Sequence, residues 1–260
     1  MPLALGVSPP LPPRSLSSSI STSSSPPNES AADRLSDDLA TWERYRVREI
    51  MEGFPVHRDS CEWDKLRALF AEDDAYVFTT WSGGVPIDEF IKISQTGFAK
   101  GVQIAHRVNG STVDVAISGP RKGQRALGKL KATITQRFEM PCVDGNGKCE
   151  VDIDADCRLC FFLEKDQNGG WKTHFFKGIY ERDRPHAIDP GRLPVFDREK
   201  LESFPKGYRH LGYCQEEISG YKVKRDLPQS RGQEHDEFYE CFLDWLRGVE
   251  IDEMKVKLGV

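Results

Sequence analysis

The sequence predicts an α+β fold in which helices pack against a curved, mixed or antiparallel sheet. Two observations carry this prediction. Hydrophobic residues recur with helical spacing up to Gly101 and then alternate with the period of a strand to about residue 183. The 260 residues are 38% hydrophobic, which suffices for one core of about 150 residues plus extensions. A disordered N-terminal tail and an irregular C-terminal extension that ends in a helix complete the prediction.

Residues 1–34 are predicted to form the disordered tail. The stretch SLSSSISTSSSPPNES has almost no large apolar residues and cannot bury enough surface to offset the chain entropy. The N-terminus also lacks the charged region of a secretory signal, and prolines break its apolar stretch. An organelle-targeting segment stays open as an alternative, supported by Arg14 and by the absence of acidic residues before Glu29.

The composition of the chain indicates which classes of partner and which cellular compartment to expect. The net charge is −5, the pI is about 5.8 and no basic block occurs, which disfavours a nucleic-acid partner. The chain contains no run of eighteen apolar residues, so we expect no membrane span. Seven cysteines at irregular spacing predict reduced core thiols in a cytoplasmic protein.

Helical patterns dominate the first part of the domain predicted for residues 35–183. The segment DDLATWERYRVREIMEGF places Trp42 and Ile50 at helical spacing, and Gly53 with Pro55 predicts the end of this helix. Three further elements follow from pattern and turn residues: a helix over 60–70, a strand over 75–81 and, after a glycine turn, a helix over 87–101.

Four stretches of alternating residues then predict a meander of long antiparallel strands. VQIAHRVNGSTVDVAISG gives one or two strands about a turn at Asn109–Gly110, and RALGKLKATITQRFEM gives a long strand. VDIDADCRLCFFLEK alternates most regularly, with Ile153, Ala155 and Leu159 on one face. WKTHFFKGIYERD is the last strand, and VDGNGK and NGG are the turns between strands.

Residues 184–260 differ in character from the strands before them. The segment begins proline-rich and ends in EHDEFYECFLDWLRG, an amphipathic helix with Phe238, Phe242 and Trp245 on one side. So aromatic a stripe predicts a docking surface, either on the same domain or on a neighbouring subunit.

Two motifs resemble metal-binding sites but lack the residues or geometry that such sites require. DIDAD (152–156) resembles the start of a calcium loop, but Cys157 stands where that loop needs glycine. Cys157 and Cys160 point to opposite faces of a strand and cannot share a zinc ion. No P-loop or G-x-G-x-x-G occurs either, so we expect no metal and no cofactor.

The candidate catalytic pair is Asp59 and His106. Asp59 is predicted to lie at the start of the second helix, where Glu62 three residues later makes it a good N-cap. A carboxylate that pairs with a histidine in an apolar cavity would instead fix the imidazole tautomer and raise its basicity. Both roles remain open at this point.

Other polar residues fall on strands that a curved sheet would bring near this pair. His174 and Tyr180 share one face of the last strand. Thr135 and Arg137 share a face of one strand, and Asp156 and Arg158 share a face of the next. The candidate substrate-binding residues are these four polar residues of the two strands together with Tyr76: Arg158, Arg137, Thr135, Asp156 and Tyr76.

The stretch DSCEWDKLRALFAED (59–73) resembles the scytalone dehydratase branch of the SnoaL-like/NTF2-like superfamily, which carries a near-identical D-S-x-x-W-D-x-L-R segment after its first helix. AHRVNG (105–110) is similar to that family's Q-H-F-I-G-G, and the order of elements matches over about residues 38–183. The resemblance implies an NTF2-like cone, often in homodimers or homotrimers, with a cofactor-free acid–base site for small aromatic or polyketide-derived substrates of fungal secondary metabolism.

Carried over by position, Asp59 matches the family's histidine-orienting aspartate and His106 matches one of two catalytic histidines. Thr135 stands in place of the second histidine, and the family's polarising tyrosines align near Arg58 and Phe78. The residues that polarise the substrate carbonyl in the family are therefore replaced by others in this sequence. Arg137, Arg158 or Tyr76 are the candidates to stabilise an enolate or alkoxide.

The leading hypothesis is thus a dehydratase-type lyase. A polyketide cyclase or isomerase, or an epoxide-opening hydrolase on the same cone, shares its chemistry. The rival from another class is a non-catalytic NTF2-like module that binds a ligand or a partner.

Overall fold

The computed structural model of the protein describes the backbone of residues 31–259 and the side chains of residues 38–259. The chain divides into two compact units, residues 1–39 and residues 40–260. The predicted tail lies outside the described residues, except for residues 31–34 at the start of the first helix.

Helix α1 (Ala31–Asp59) continues past Gly53 and Pro55, so the predicted helix end is wrong. An internal proline costs a helix about 3 kcal/mol. The helix past Gly53 buries Phe54, which is 2% exposed, and a phenylalanine of this kind typically contributes roughly 3–5 kcal/mol to a core, which offsets this cost. The buried stripe of α1 is Val47, Met51 and Phe54, whereas Trp42 is 57% exposed.

Six strands form one sheet in the order β2-β1-β6-β5-β4-β3. All neighbours are antiparallel except β1 and β6, which are parallel. The elements up to the end of the sheet are α2 (Trp63–Ala68), β1 (Tyr76–Thr79), β2 (Gly83–Pro86), α3 (Ile87–Ala99), β3 (Gln103–Val115), β4 (Arg125–Pro141), β5 (Lys148–Lys165) and β6 (Trp171–Ala187). The predicted α+β class and the four-stranded meander are confirmed.

Strand β3 is continuous, with a bulge between Val108 and Gly110 in place of a turn. The two faces of the sheet have different partners. On the inner face, Phe161 and Phe176 pack on Phe54 of α1, with ring centroids 5.9 and 4.4 Å away. On the outer face, Phe162 packs on the C-terminal part of the chain. The alternation of β5 read from the sequence therefore separates two different environments.

The C-terminal extension first closes the open end of the cone. It runs through α4 (Arg198–Glu202), a 3₁₀ turn (Lys206–Tyr208), α5 (Arg209–Tyr213) and a π-helical turn (Cys214–Ile218). Leu211 and Gln215 from this part are 1% and 2% exposed and face the inside of the cone.

The extension then covers the outer face of the sheet with α6 (Gln233–Arg247) and α7 (Ile251–Leu258). Phe242 and Trp245 of α6 lie 5.7 and 5.8 Å from the Phe162 ring, and the Trp245 indole N–H donates to the Ala126 carbonyl at 3.0 Å. The predicted aromatic stripe thus docks on its own chain. None of the described helices combines the length and apolar character that crossing a bilayer requires.

Candidate active site

Asp59 and His106 form a two-point contact. The His106 backbone N–H donates to one carboxylate oxygen of Asp59 at 2.7 Å, and the ring Nδ1 lies 2.8 Å from the other. Asp59 reaches His106 because it is the last residue of α1, which ends beside β3. The expected N-cap role is wrong, since α2 begins only at Trp63 and both oxygens of Asp59 are directed at His106.

This contact selects one tautomer of His106. An imidazole that donates Nδ1–H to the carboxylate carries its lone pair on Nε2. Burial lowers the pKa of His106 below its ordinary 6.5, and the hydrogen bond to Asp59 opposes the shift without cancelling it. The side chain is only 5% exposed. His106 is therefore an oriented imidazole that favours its neutral form at neutral pH.

His106 lines a small cavity inside the cone, about 30 Å³ in volume. A cavity of this size holds one or two water molecules. Most of its wall is apolar or aromatic; the full lining is Phe54, Arg58, Thr79, Thr80, Trp81, Phe90, Ile104, His106, Ile134, Leu159, Phe176, Tyr180, Leu211 and Gln215.

Gln215 ties the extension to the wall of this cavity. Its side-chain oxygen accepts from the Thr80 hydroxyl at 2.7 Å, and its amide nitrogen donates to Gln136 at 3.0 Å. Because these partners satisfy both ends of the amide, Gln215 is held in place at the wall. A molecule larger than a few waters needs more room than this cavity offers.

Arg58 is the functional candidate that sequence reasoning missed. Its guanidinium lines the cavity and lies 5.9 and 5.6 Å from the rings of Trp81 and Phe90. The residue is 4% exposed, and neither Nε nor Nη1 has a hydrogen-bond partner among the described residues. Burial lowers the pKa of Arg58, and the charge of Asp59 opposes this shift. The signal was its place beside Asp59, where the resembled family has a polarising tyrosine.

Four of the predicted substrate-binding residues face away from the cavity, so their grouping with His106 is wrong. The register pairs His106 with Ile134, and both line the cavity; Thr135 therefore points to the outer face. The other side chains on that face of β4 and β5 also point away from the cavity. The outer-face contacts are Thr135 with Asp154, Arg137 with Asp152, Asp156 with Thr133 and Arg182, and Arg158 with Glu181 and Tyr239.

Tyr76 and His174 also lie outside this cavity. Lys255 of α7 has its ammonium 5.7 Å from the Tyr76 ring. His174 is the extra residue where the β5–β6 register shifts, so it turns toward Trp245, 6.1 Å away. The prediction that it shares a face with Tyr180 is wrong, because Tyr180 lines the cavity.

Residues 38–259 contain no cluster of three or more histidine, cysteine or acidic side chains with the spacing of a metal site. Cys157 and Cys160 are buried on opposite faces of β5, and burial raises the pKa of the Cys160 thiol to about 12. Both thiols are therefore protonated and unsuited to hold a cation.

The family profile described as SnoaL-like domain matches residues 40–177. The chain belongs to the SnoaL-like family. Two fungal relatives extend the similarity beyond the matched domain: an uncharacterised protein of Aspergillus terreus, 47% identical over 78% of both chains, and the pea pathogenicity protein 2 of Fusarium vanettenii, 42% identical over 87% of this chain and 94% of the relative. The resemblance read from the sequence to the SnoaL-like/NTF2-like superfamily is confirmed.

Among solved structures, this SnoaL-like chain is similar to a Novosphingobium aromaticivorans protein provisionally assigned as a scytalone dehydratase, with 16% identity and a TM-score of 0.45 over 63% of this chain and 98% of that one. It is also similar to a hexachlorocyclohexane dehydrochlorinase of Novosphingobium barchaimii, with 14% identity and a TM-score of 0.44 over 65% and 99% of the two chains.

Proposed function

We propose that the protein is a cofactor-free acid–base enzyme, a dehydratase-type lyase that acts on a small aromatic or polyketide-derived molecule. The observation that carries this proposal is the two-point contact of Asp59 with His106 at the wall of a mostly apolar cavity. A histidine that only filled space in the core would not need a carboxylate that binds both its ring and its backbone N–H.

The proposed reaction begins when His106 Nε2 removes a proton from the carbon next to a substrate carbonyl. The electrons of the broken C–H bond form an enolate, and Asp59 stabilises the imidazolium that results. The imidazolium then protonates the departing hydroxyl, the C–O bond breaks, and water and a carbon–carbon double bond form. A positioned base of this kind accelerates such a step by roughly 10²–10⁴. Isomerisation or aldol cyclisation would use the same first step.

A second candidate is a non-catalytic binding module, and the size of the cavity favours it. The aromatic rings of Phe54, Trp81, Phe90 and Phe176 occupy much of the cone, and the remaining 30 Å³ has room for only one or two water molecules. On this view the Asp59–His106 pair is a structural clamp between α1 and β3.

The two candidates are separated by comparing metabolites of a fungal strain carrying His106→Ala with those of wild type. Catalysis predicts loss of the product and accumulation of a precursor heavier by one water. The matched control is His186→Ala, which removes a 52% exposed histidine on β6 and should leave the profile intact. A folded His106→Ala protein with an unchanged profile would favour the binding module.

A further inference from the structure

A second small cavity lies on the other side of Arg58. Its volume is about 20 Å³, and α1, α3, β3 and β4 all contribute to its wall. Arg58, Trp81 and Ile104 line both cavities, so the arginine stands between them. His106 faces only the first cavity, and Ser94 of α3 faces only the second.

Two polar side chains at this second cavity have unused hydrogen-bond donors. The Ser94 hydroxyl is buried, 3% exposed, and has no partner among residues 38–259. The same holds for Nε and Nη1 of Arg58. Buried donors without an acceptor are rare, because each has lost its water and gained nothing in return. Three such donors on two side chains at one cavity suit a bound group that supplies the acceptors.

The charge of the lining indicates the sign of that group. Neither cavity has an aspartate or glutamate in its wall, and Arg58 is the ionised side chain there. Asp59 is the nearest carboxylate, 4.0 Å from Nη1, but its oxygens are directed at His106. The aromatic rings of Trp81, Phe90 and Phe98 surround the guanidinium at 5.9, 5.6 and 5.5 Å and keep bulk water away. A positive charge in such surroundings attracts an anionic oxygen more strongly than a neutral one.

We propose that Arg58 and Ser94 form an oxyanion subsite that binds a carboxylate group of the substrate. This inference rests on the proposed function where it names the carboxylate as part of a substrate. A carboxylate at Arg58 lies beside the cavity that His106 lines, so the adjoining carbons of the same molecule would extend toward the base. The substrate class is therefore a small aromatic or polyketide-derived carboxylic acid.

The test uses formate, the smallest carboxylate, on the full-length protein. Formate is titrated at constant ionic strength, with sodium chloride as the balancing salt, and the side-chain Nε–H signals of the arginines are followed by NMR. We expect one saturable shift, assigned to Arg58 by its absence in Arg58→Gln. Arg137→Gln removes an arginine paired with Asp152 on the outer face and should leave formate binding unchanged.

Ser94→Ala gives an independent measure, because it removes one hydroxyl and keeps the charge. Loss of one hydrogen bond to a charged group should weaken formate binding about tenfold. Should Arg58→Gln fail to fold, Arg58→Lys takes its place, with a similar expected loss, since an ammonium cannot reproduce the guanidinium donors. The absence of a saturable shift in wild type would overturn the subsite, as would equal formate affinity in wild type and Ser94→Ala.

His106→Ala separates this inference from the proposed function. It should abolish turnover and keep the formate affinity of wild type. A folded His106→Ala protein that retains turnover contradicts the proposed catalysis whatever the formate data show. Formate affinity that survives loss of Ser94 or Arg58 contradicts the subsite whatever the role of His106.

Discussion

At the residue scale, the carboxylate of Asp59 both orients the His106 ring and places a negative charge beside it. Its two oxygens bind the backbone N–H and the ring of His106. Asparagine has nearly the same shape, but it lacks the charge and offers only one acceptor atom.

We therefore expect Asp59→Asn to lower kcat by roughly 10²–10⁴, the contribution of a positioned acid–base group. The fold should persist, which far-ultraviolet circular dichroism checks. Turnover is measured on the substrate identified from the strain comparison. Wild-type kcat in folded Asp59→Asn would mean that the carboxylate only joins α1 to β3.

The pH dependence of activity follows from the burial of His106. Because burial holds the pKa of His106 below 6.5, the imidazole stays neutral at pH values where a free histidine is already protonated. We expect kcat/KM to be flat near neutral pH and to fall on the acid side, with its midpoint below 6.5. An acid limb centred above that value would show that another group titrates.

Residues on the outer face of β4 and β5 provide a negative prediction. Thr135, Arg137 and Asp156 are engaged with partners away from the cavity. Arg137→Gln and Asp156→Asn should therefore change kcat/KM by less than about twofold, since neither residue reaches the cavity. A large loss of kcat/KM in either folded variant would place substrate on the outer face.

The sequence was sufficient to pair Asp59 with His106, because the D-S-x-x-W-D-x-L-R stretch and the strand histidine both had counterparts in a recognisable family. It could not assign the sheet faces of Thr135 and Asp156. Alternation gives relative faces within a strand, but the face shared with a neighbouring strand depends on register. The β3–β4 register has a bulge at Asn109, and the β5–β6 register shifts at two positions.

At the scale of single elements, α6 is held by aromatic packing on the outer face of the sheet. Trp245 is 1% exposed, stacks on the Arg125 guanidinium at 3.8 Å and donates to the Ala126 carbonyl. The amphipathic pattern predicted this helix correctly. Its docking surface could not be read from sequence, because Phe162 and Arg125 lie far away along the chain.

Trp245→Ala should lower the free energy of unfolding by about 3–5 kcal/mol, the usual loss for a large buried aromatic. Leu243→Ala on the same helix is the control, since Leu243 is 54% exposed and its removal should cost less than about 0.5 kcal/mol. Urea denaturation measures both. Similar losses for the two variants would contradict the docking of α6 on the sheet.

The end of α1 shows why local signals failed there. Gly53 and Pro55 are ordinary helix terminators, yet the helix continues, with Phe54 in the core and Arg58 at the cavity. Burial that depends on the rest of the molecule outweighed a local preference.

At the scale of the whole molecule, two aspartates and two histidines that titrate on the acid side all shift stability in the same direction with pH. Burial raises the pKa of Asp154 and Asp156, but hydrogen bonds and nearby arginines lower it by more, so each ends below 3.8. Burial lowers the pKa of His106 and His174 below 6.5. In all four cases the unfolded chain binds protons more readily than the folded one, so acid favours unfolding.

We therefore expect Tm to change little between pH 7 and 8 and to fall in two stages on acidification. The first stage begins near the ordinary histidine pKa of 6.5, and the second begins near the ordinary aspartate pKa of 3.8. The first should shrink in His106→Asn and persist in His186→Ala. Calorimetry from pH 8 to 3 records both stages; a Tm that rises between pH 7 and 5 would contradict the assignment.

The contact between Asp59 and the His106 backbone has a consequence for self-association. Strand β3 is the last strand of the sheet on its side, and the unpaired N–H groups of such a strand can recruit a strand from another molecule. By accepting the His106 N–H at 2.7 Å, Asp59 blocks one of these positions. Loss of the carboxylate should thus promote aggregation as well as impair activity, and Asp59→Ala should scatter more light on warming than His106→Ala.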